Sequence, residues 1–179
     1  QKDKMNKPAY GLFNHKEYNP KIVEDKYNLQ SVDWVVGCSM LIDLDKFSNK
    51  NIFDENFFLF YEKTDLCKNV KSNGGKIFSS KDLLIDHYGE KGSFATIPEK
   101  KYSYLKLRNW HLMWSSFYYY KKNYSYNYAF KLLIGQLIKS FIKFIFFGLL
   151  LNKHNYTKHL FRFLGLTNSM LGKKSWFRV

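Results

Sequence analysis

The stretch that organises the chain reads FDENFFLFYEKTDLC and covers residues 53–67. It holds five aromatic residues and four carboxylates, and the last two carboxylates, Glu62 and Asp65, stand three positions apart at the predicted start of a short helix. Because residues three apart share one helical face, both are predicted to point from an apolar wall, where a carboxylate can accept a proton from a hydroxyl-bearing substrate. The alternative is that Thr64 and Asp65 only cap and charge the first turn, while Glu62 lies on a solvated face.

The charge of the chain is concentrated in its second half. The 179 residues are 45% apolar and 20% aromatic, which suits one ordinary domain with a core, and the net charge is +14. Residues 1–99 contain 14 basic and 15 acidic residues, whereas residues 100–179 contain 15 basic residues and no acidic one. This asymmetry predicts a polyanionic partner for the second half, either nucleic acid or an anionic membrane surface.

The cysteines and the first residue bear on the setting of the protein. Cys38 and Cys67 do not make a zinc site by themselves and show no CxxC spacing, which fits a reducing cytosolic compartment. The chain begins at Gln1 without a recognisable signal segment. We therefore expect a fragment of a longer cytosolic protein.

Short strands and one helix are predicted around the central stretch. Residues 31–44 are rich in bulky apolar side chains, which predicts two strands, and Gly37 between them marks either a plain bulge or a close approach to the backbone. A helix is expected over residues 64–72, ended by Gly74 and Gly75 as a C-cap. Further strands are expected at residues 76–79 and 83–87.

Residues 129–151 form a predicted amphipathic helix with a broad apolar side. Its polar positions, Gln136, Lys139, Ser140 and Lys143, recur at i, i+3, i+4 and i+7, the period of one helical face. A membrane-spanning orientation would place two lysines near the bilayer centre at a cost of roughly 2.5–3.5 kcal/mol each. The pattern therefore favours a helix in the membrane interface, with lysines against anionic headgroups. The alternatives are a buried helix of a helical subdomain and a helix–helix dimer face.

Residues 108–124 interleave aromatic and basic side chains, a pattern that suits base stacking or a membrane interface. A nucleic-acid-binding module is thus the rival from another functional class. It is disfavoured because the apolar face of residues 132–151 is wider than a backbone-tracking surface requires.

Several motifs resemble the second half of the catalytic domain of family 2 glycosyltransferases, especially the rhamnosyltransferase-like branch. The resemblance runs from about Val32 to the end of the chain. One departure is Lys63, which stands where the family carries a second acid, often assigned as the catalytic base. The matching positions are Val32-Asp33-Trp34-Val35, Gly37, Phe53-Asp54-Glu55, Phe57-Phe58, Tyr61-Glu62 and Asp65-Leu66-Cys67.

This resemblance implies an α/β fold. Residues 1–98 would be the acceptor side of the C-terminal portion of a GT-A fold, and residues 99–179 an α-helical, amphipathic, membrane-associated tail. The implied activity is transfer of a sugar, with inversion, from a nucleotide-sugar donor to a lipid-linked or surface-glycan acceptor. It would take place at the cytosolic face of the cell membrane, with the protein bound as a peripheral or monotopic protein. The nucleotide-binding half would lie upstream, so these residues are expected to be inactive alone.

The resemblance also assigns roles to individual residues. Glu62 would be the proton acceptor and Asp65 its supporting acid. The substrate pocket would include Trp34, Gly37, Cys38 and Tyr61. His87 would help hold a divalent metal, Mg²⁺ or Mn²⁺, whose main ligands lie in the missing half; its alternative is a polar residue at a strand end. Lys63 also leaves open a non-catalytic membrane-docking protein derived from a transferase.

Overall fold

The computed structural model describes residues 10–11, 28–48, 51–80, 82, 84–85 and 100–179. Helices dominate this part of the chain: α1 (Glu62–Ser72), α2 (Lys101–Asn123), α3 (Tyr126–Leu149) and α4 (Lys153–Met170). The strands are short: β1 (Tyr10–Gly11), β2 (Leu29–Ser31), β3 (Trp34–Val35) and β4 (Phe78–Ser80). β1 pairs with β3 and β2 with β4, both antiparallel, and a 3-10 turn covers Leu44–Lys46.

The predicted α/β fold, a portion of a GT-A domain, is wrong. In the described residues the fold is mainly helical, with two two-stranded sheets of two- and three-residue strands. Of the two strands expected within residues 31–44, the first ends at Val35 and the second does not form, and Leu41 and Leu44 in that second segment are exposed. Leu84 and Ile85, from the strand predicted at 83–87, are also exposed and carry no strand. A bulky apolar run favours a strand only where a partner strand and a buried face exist, and in the part of the chain that the structure describes these segments have neither.

The described residues fall into two compact units. The first comprises residues up to Asp54 together with Glu62–His87, and the second comprises Glu55–Tyr61 together with Tyr88–Val179. The central stretch is therefore divided between them, its aromatic part in one and the start of α1 in the other. The predicted domain boundary at residues 98 and 99 stays a prediction, because it falls in residues 86–99, outside the described residues.

The first unit is built on α1. Leu66 and Cys67 are buried on this helix. Val32, between β2 and β3, is also buried, and its N–H donates to the carbonyl of Ile77 at 3.0 Å. The helix begins two residues before the predicted start and ends at the predicted glycines. Gly74 has φ +78°, and the N–H of Gly75 donates to the carbonyl of Val70 at 2.8 Å. This is a Schellman cap, which satisfies carbonyls that the helix end would otherwise leave without a partner.

The second unit contains α2, α3 and α4, which pack against one another in an up-down-up arrangement. Short links favour this topology: the Ser125 hydroxyl caps α3, and the Asn152 side chain caps α4. Gly165 brings α4 against the α2 backbone, since a Cβ at this position would lie 3.0 Å from the Trp110 Cα. The core shared by the three helices consists of Met113, Phe117, Ala129 and Leu166, flanked by Tyr120, Leu133, Leu137 and Met170.

The C-terminal residues complete this unit by covering α2. The Trp114 Nε1–H donates to the carbonyl of Lys173 at 2.9 Å, and His111 Nε2 donates to the carbonyl of Phe177 at 2.9 Å. The Ser175 hydroxyl donates to His111 Nδ1 at 3.2 Å. Burial, together with the charge of Arg178, lowers the pKa of His111 to about 4 despite the bond to Phe177. His111 is therefore a neutral, fully hydrogen-bonded core residue.

Candidate functional site

A cavity in the first unit brings together three of the residues assigned from the sequence. Glu62 shares its wall with Gly37 and Cys38, and the cavity volume is about 570 Å³. The rest of the wall consists of Ser39, Met40, Ile42, Phe53 and Lys63. Residues 25 positions apart in sequence thus meet on one cavity wall.

The backbone just before Glu62 is strained. Phe60 and Tyr61 both have φ +66°, in the left-handed region that residues other than glycine rarely adopt. Each such residue costs about 1–3 kcal/mol, and strain of this kind clusters at functional sites. These two residues directly precede Glu62, the first residue of α1.

The two oxygens of the Glu62 carboxylate have different surroundings. Oε1 forms an ion pair with the Lys63 ammonium. Oε2 is buried and has no hydrogen-bond partner among the residues that the structure describes. The Glu62 side chain as a whole is 20% exposed. The carboxylate is thus held at one oxygen, and the other oxygen accepts no hydrogen bond from the described residues.

Lys63 also explains the glycine at position 37. The aliphatic stem of Lys63 lies against Gly37, and a Cβ there would come within 2.7 Å of Lys63 Cγ and closer still to the next two carbons. Gly37 is therefore a point of close approach rather than a plain bulge, and the group that approaches it is Lys63. Lys63 shapes the cavity as well as holding Glu62.

The other assigned residues lie elsewhere. Asp65 is buried on α1 and Trp34 is half-buried in β3, and neither lines the cavity. Tyr61 belongs to the second unit, where its ring packs 5.2 Å from that of Tyr119, and burial together with Tyr120 raises its pKa to about 12. His87 lies outside the described residues. Within the described ranges, no group of three or more His, Cys, Asp or Glu residues is placed to hold a metal ion.

Sequence reasoning missed four wall residues, Ser39, Met40, Ile42 and Phe53. Two of them could have been predicted from their neighbours in sequence, because Ser39 and Met40 directly follow the assigned residues Gly37 and Cys38. Ile42 and Phe53 carried no such signal, since their positions depend on how the loop after β3 returns to α1.

A second candidate surface is the outward side of α3. The side of α3 that faces the other helices includes Ala129 and Ser140, both fully buried, and Gln136 donates to the Ser140 hydroxyl at 3.2 Å. The opposite side is apolar and exposed, the reverse of a soluble amphipathic helix. We call this side the apolar α3 face; it consists of Leu132, Ile138, Phe141, Ile142, Ile145, Phe146 and Leu149.

Of the predicted localisation, the structure supports one part, which is the association of a helix with a membrane. α3 is long and apolar enough to associate with a membrane, judged by length and composition. One alternative from the sequence was a buried helix of a helical subdomain. α3 does belong to a helical unit, but little of the helix is buried in it. A contiguous exposed apolar surface of this size marks a membrane or protein interaction site.

The apolar surface continues into the link between α3 and α4. Leu150 is exposed, and Leu151 is 91% exposed with φ +51°. A left-handed leucine costs about 1–2 kcal/mol, and at such a position glycine or asparagine is usual. The exposed apolar surface of α3 thus extends to a leucine that adopts an unfavourable backbone conformation.

Comparison of the chain with protein-family models, curated proteins and solved structures finds no match. Its function therefore has to be argued from the cavity around Glu62 and from the apolar α3 face.

Proposed function

We propose that these residues form the acceptor-binding and membrane-attaching part of a glycosyltransferase, which moves a sugar from a nucleotide-sugar donor to a lipid-linked or surface-glycan acceptor. The observation that supports the proposal most is the meeting of Glu62, Gly37 and Cys38 on one cavity wall. The motif resemblance implies that these residues, which come from separate motifs, belong to one site.

In the proposed reaction the acceptor hydroxyl attacks the anomeric carbon of the donor. A carbon–oxygen bond forms to the acceptor, the bond to the diphosphate breaks, and the configuration inverts. Glu62 takes the hydroxyl proton, a contribution that typically amounts to about 10²–10⁴-fold in rate. Lys63 holds Oε1, so Oε2 is the oxygen that receives the proton. Because Oε2 is shielded from solvent in this conformation, the side chain rotates toward the cavity to reach the hydroxyl.

The donor diphosphate needs charge compensation, which Mg²⁺ or Mn²⁺ would supply. The described residues do not provide a ligand set for either ion. Metal ligands in this proposal therefore belong to residues outside the described part, with His87 as the candidate from this chain.

Attachment through the apolar α3 face gives the acceptor a source. Lipid-linked sugars are concentrated at the membrane, and a protein bound there meets them at a higher local concentration than in solution. The 15 basic residues of positions 100–179 favour an anionic leaflet. We accordingly place the protein at the cytosolic surface as a peripheral or monotopic protein.

The burial of aromatic side chains counts against nucleic-acid binding. Trp110, Trp114 and Phe117, from the aromatic and basic segment, are all buried and are covered in part by the C-terminal residues. Rings in a core do not stack on bases. The remaining alternative is a non-catalytic membrane-docking protein, which the ion pair between Lys63 and Glu62 favours because it engages one oxygen of the proposed base.

Protection of Cys38 from alkylation tests the cavity directly. Cys38 is exposed on the cavity wall, whereas Cys67 is buried and serves as the internal control. We expect a polyprenyl-diphosphate-linked sugar to slow the reaction of Cys38 with iodoacetamide and to leave Cys67 unreactive. Unchanged alkylation of Cys38 at saturating acceptor would contradict the assignment of this cavity.

A further inference from the structure

Four cationic side chains of α3 and α4 act electrostatically on His159 of α4. They stand at matching spacings, with Lys139 and Lys143 on α3 and Lys158 and Arg162 on α4. The His159 ring stacks on that of Phe147 of α3, with centroids 5.8 Å apart and an angle of 9°. We call Lys139, Lys143, Lys158, His159 and Arg162 the cationic groove.

These charges are not balanced by carboxylate side chains of the same helices. Residues 100–179 contain no Asp or Glu. Arg162 is fixed instead by a neutral group, since its Nε–H donates to Asn109 Oδ1 at 2.8 Å, and Asn109 is buried. Concentrating cations without carboxylates costs free energy, which a bound anion would offset.

His159 gives the groove a buried hydrogen-bonding group with no protein partner. It is 7% exposed, and its Nδ1 has no hydrogen-bond partner among the described residues. Burial lowers its pKa to about 4, with further contributions from Arg162, Lys143, Lys158 and Lys139. The imidazole is therefore neutral at pH 7 and has one N–H to donate. An unsatisfied polar atom at such a depth indicates a missing partner.

The surroundings of the groove are apolar and aromatic. Phe163 of α4 packs against Phe141 and Phe144 of α3, with centroids 5.4 and 5.6 Å apart. Phe141 also belongs to the apolar α3 face, so apolar surface continues from the groove to the side proposed to meet the bilayer. A ligand that combines an anionic group with hydrocarbon fits both parts.

We propose that the cationic groove binds the phosphate group of an anionic lipid while the lipid chain lies along the apolar α3 face. This inference rests on the proposed membrane attachment and names its lipid class. Lysine and arginine side chains converging from two helices match a phosphate monoester or diphosphate, which carries more charge per group than a carboxylate.

Binding to vesicles of defined composition tests the proposal. Phosphatidylcholine vesicles containing phosphatidic acid are compared with vesicles of equal surface charge containing phosphatidylserine. We expect tighter binding to phosphatidic acid, and we expect the double variant Lys143→Gln, Lys158→Gln to weaken that binding about tenfold. The matched control is Lys173→Gln, Lys174→Gln, which removes the same charge from two exposed residues near the C-terminus and should change affinity less than about threefold.

Each outcome bears on a different claim. Equal loss in the two double variants would reduce the groove to general charge attraction and overturn the proposal. Displacement by excess inorganic phosphate would show that the site takes a soluble anion, which overturns the lipid assignment. Failure of the wild type to bind any vesicle would contradict the proposed membrane attachment itself. That result differs from a failure of the groove proposal, because loss of the groove alone leaves binding through the apolar α3 face intact. Circular dichroism of both variants checks that the helices are retained.

Discussion

Substituting Leu151 separates folding stability from membrane binding. Leucine at φ +51° costs about 1–2 kcal/mol, which glycine avoids, while glycine costs about 0.5–1 kcal/mol through its freer unfolded chain. Leu151→Gly should therefore leave the free energy of unfolding within about 1 kcal/mol of wild type, on the stabilising side. Transfer of this 91% exposed side chain into a bilayer would contribute about 2 kcal/mol, so its loss should weaken vesicle binding about 30-fold.

The assay pairs thermal unfolding in solution with binding to anionic vesicles measured by flotation. The matched control is Leu41→Gly, because Leu41 is a fully exposed leucine outside α3 and its loss should leave vesicle binding unchanged. Unaltered vesicle binding by Leu151→Gly would refute the insertion of this link. So would a large fall in melting temperature, because it would show that the leucine serves the fold.

Three further predictions concern the folded units. The pKa of His111 is about 4 in the folded protein and 6.5 in the unfolded chain, so the unfolded chain binds more protons between pH 4 and 6.5. The contribution of His111 to the free energy of unfolding is therefore full above pH 6.5 and falls by about 3 kcal/mol as the pH is lowered toward 4. Urea unfolding of the wild type and of His111→Gln across this pH range measures the effect. Gly165→Ala should destabilise the protein by about 1–3 kcal/mol, because the added Cβ meets the Trp110 backbone. Gly135→Ala, in open space on α3, should stabilise the protein by up to about 1 kcal/mol. Equal effects of the two variants on thermal unfolding would contradict the helix packing. Gly74→Ala should cost about 1 kcal/mol through its left-handed φ, and an unchanged melting temperature would argue against the α1 cap.

Features that depend on short-range sequence signals were predictable. The end of α1 follows from Gly74 and Gly75, whose flexible backbone satisfies the last carbonyls locally. The long apolar helix followed from composition and period, which need no knowledge of the rest of the chain. Gly37, Cys38 and Glu62 lie on one cavity wall, and their assignment to a substrate site through motifs stays a prediction.

Features that depend on distant partners were not predictable. The run at residues 31–44 has strand-like composition, but a strand needs a neighbour, and the sequence does not show that one is lacking beyond Val35. The sequence around Trp110 and Trp114 suits base stacking or a membrane interface. In the fold, Lys173 and Phe177, which lie some 60 residues further along the chain, cover these two side chains. The ion pair between Lys63 and Glu62 likewise depends on which way neighbouring side chains turn at the start of α1.

The rate of sugar transfer in a full-length protein that carries these residues tests the central claim most directly. Glu62→Gln keeps the shape of the side chain and removes its ability to accept a proton, so transfer to a polyprenyl-diphosphate-linked acceptor should fall about 10²–10⁴-fold. Glu55→Gln, the same change at an exposed glutamate away from the cavity wall, should leave the rate unaltered. Near-wild-type transfer by Glu62→Gln would contradict the role of Glu62 as the proton acceptor.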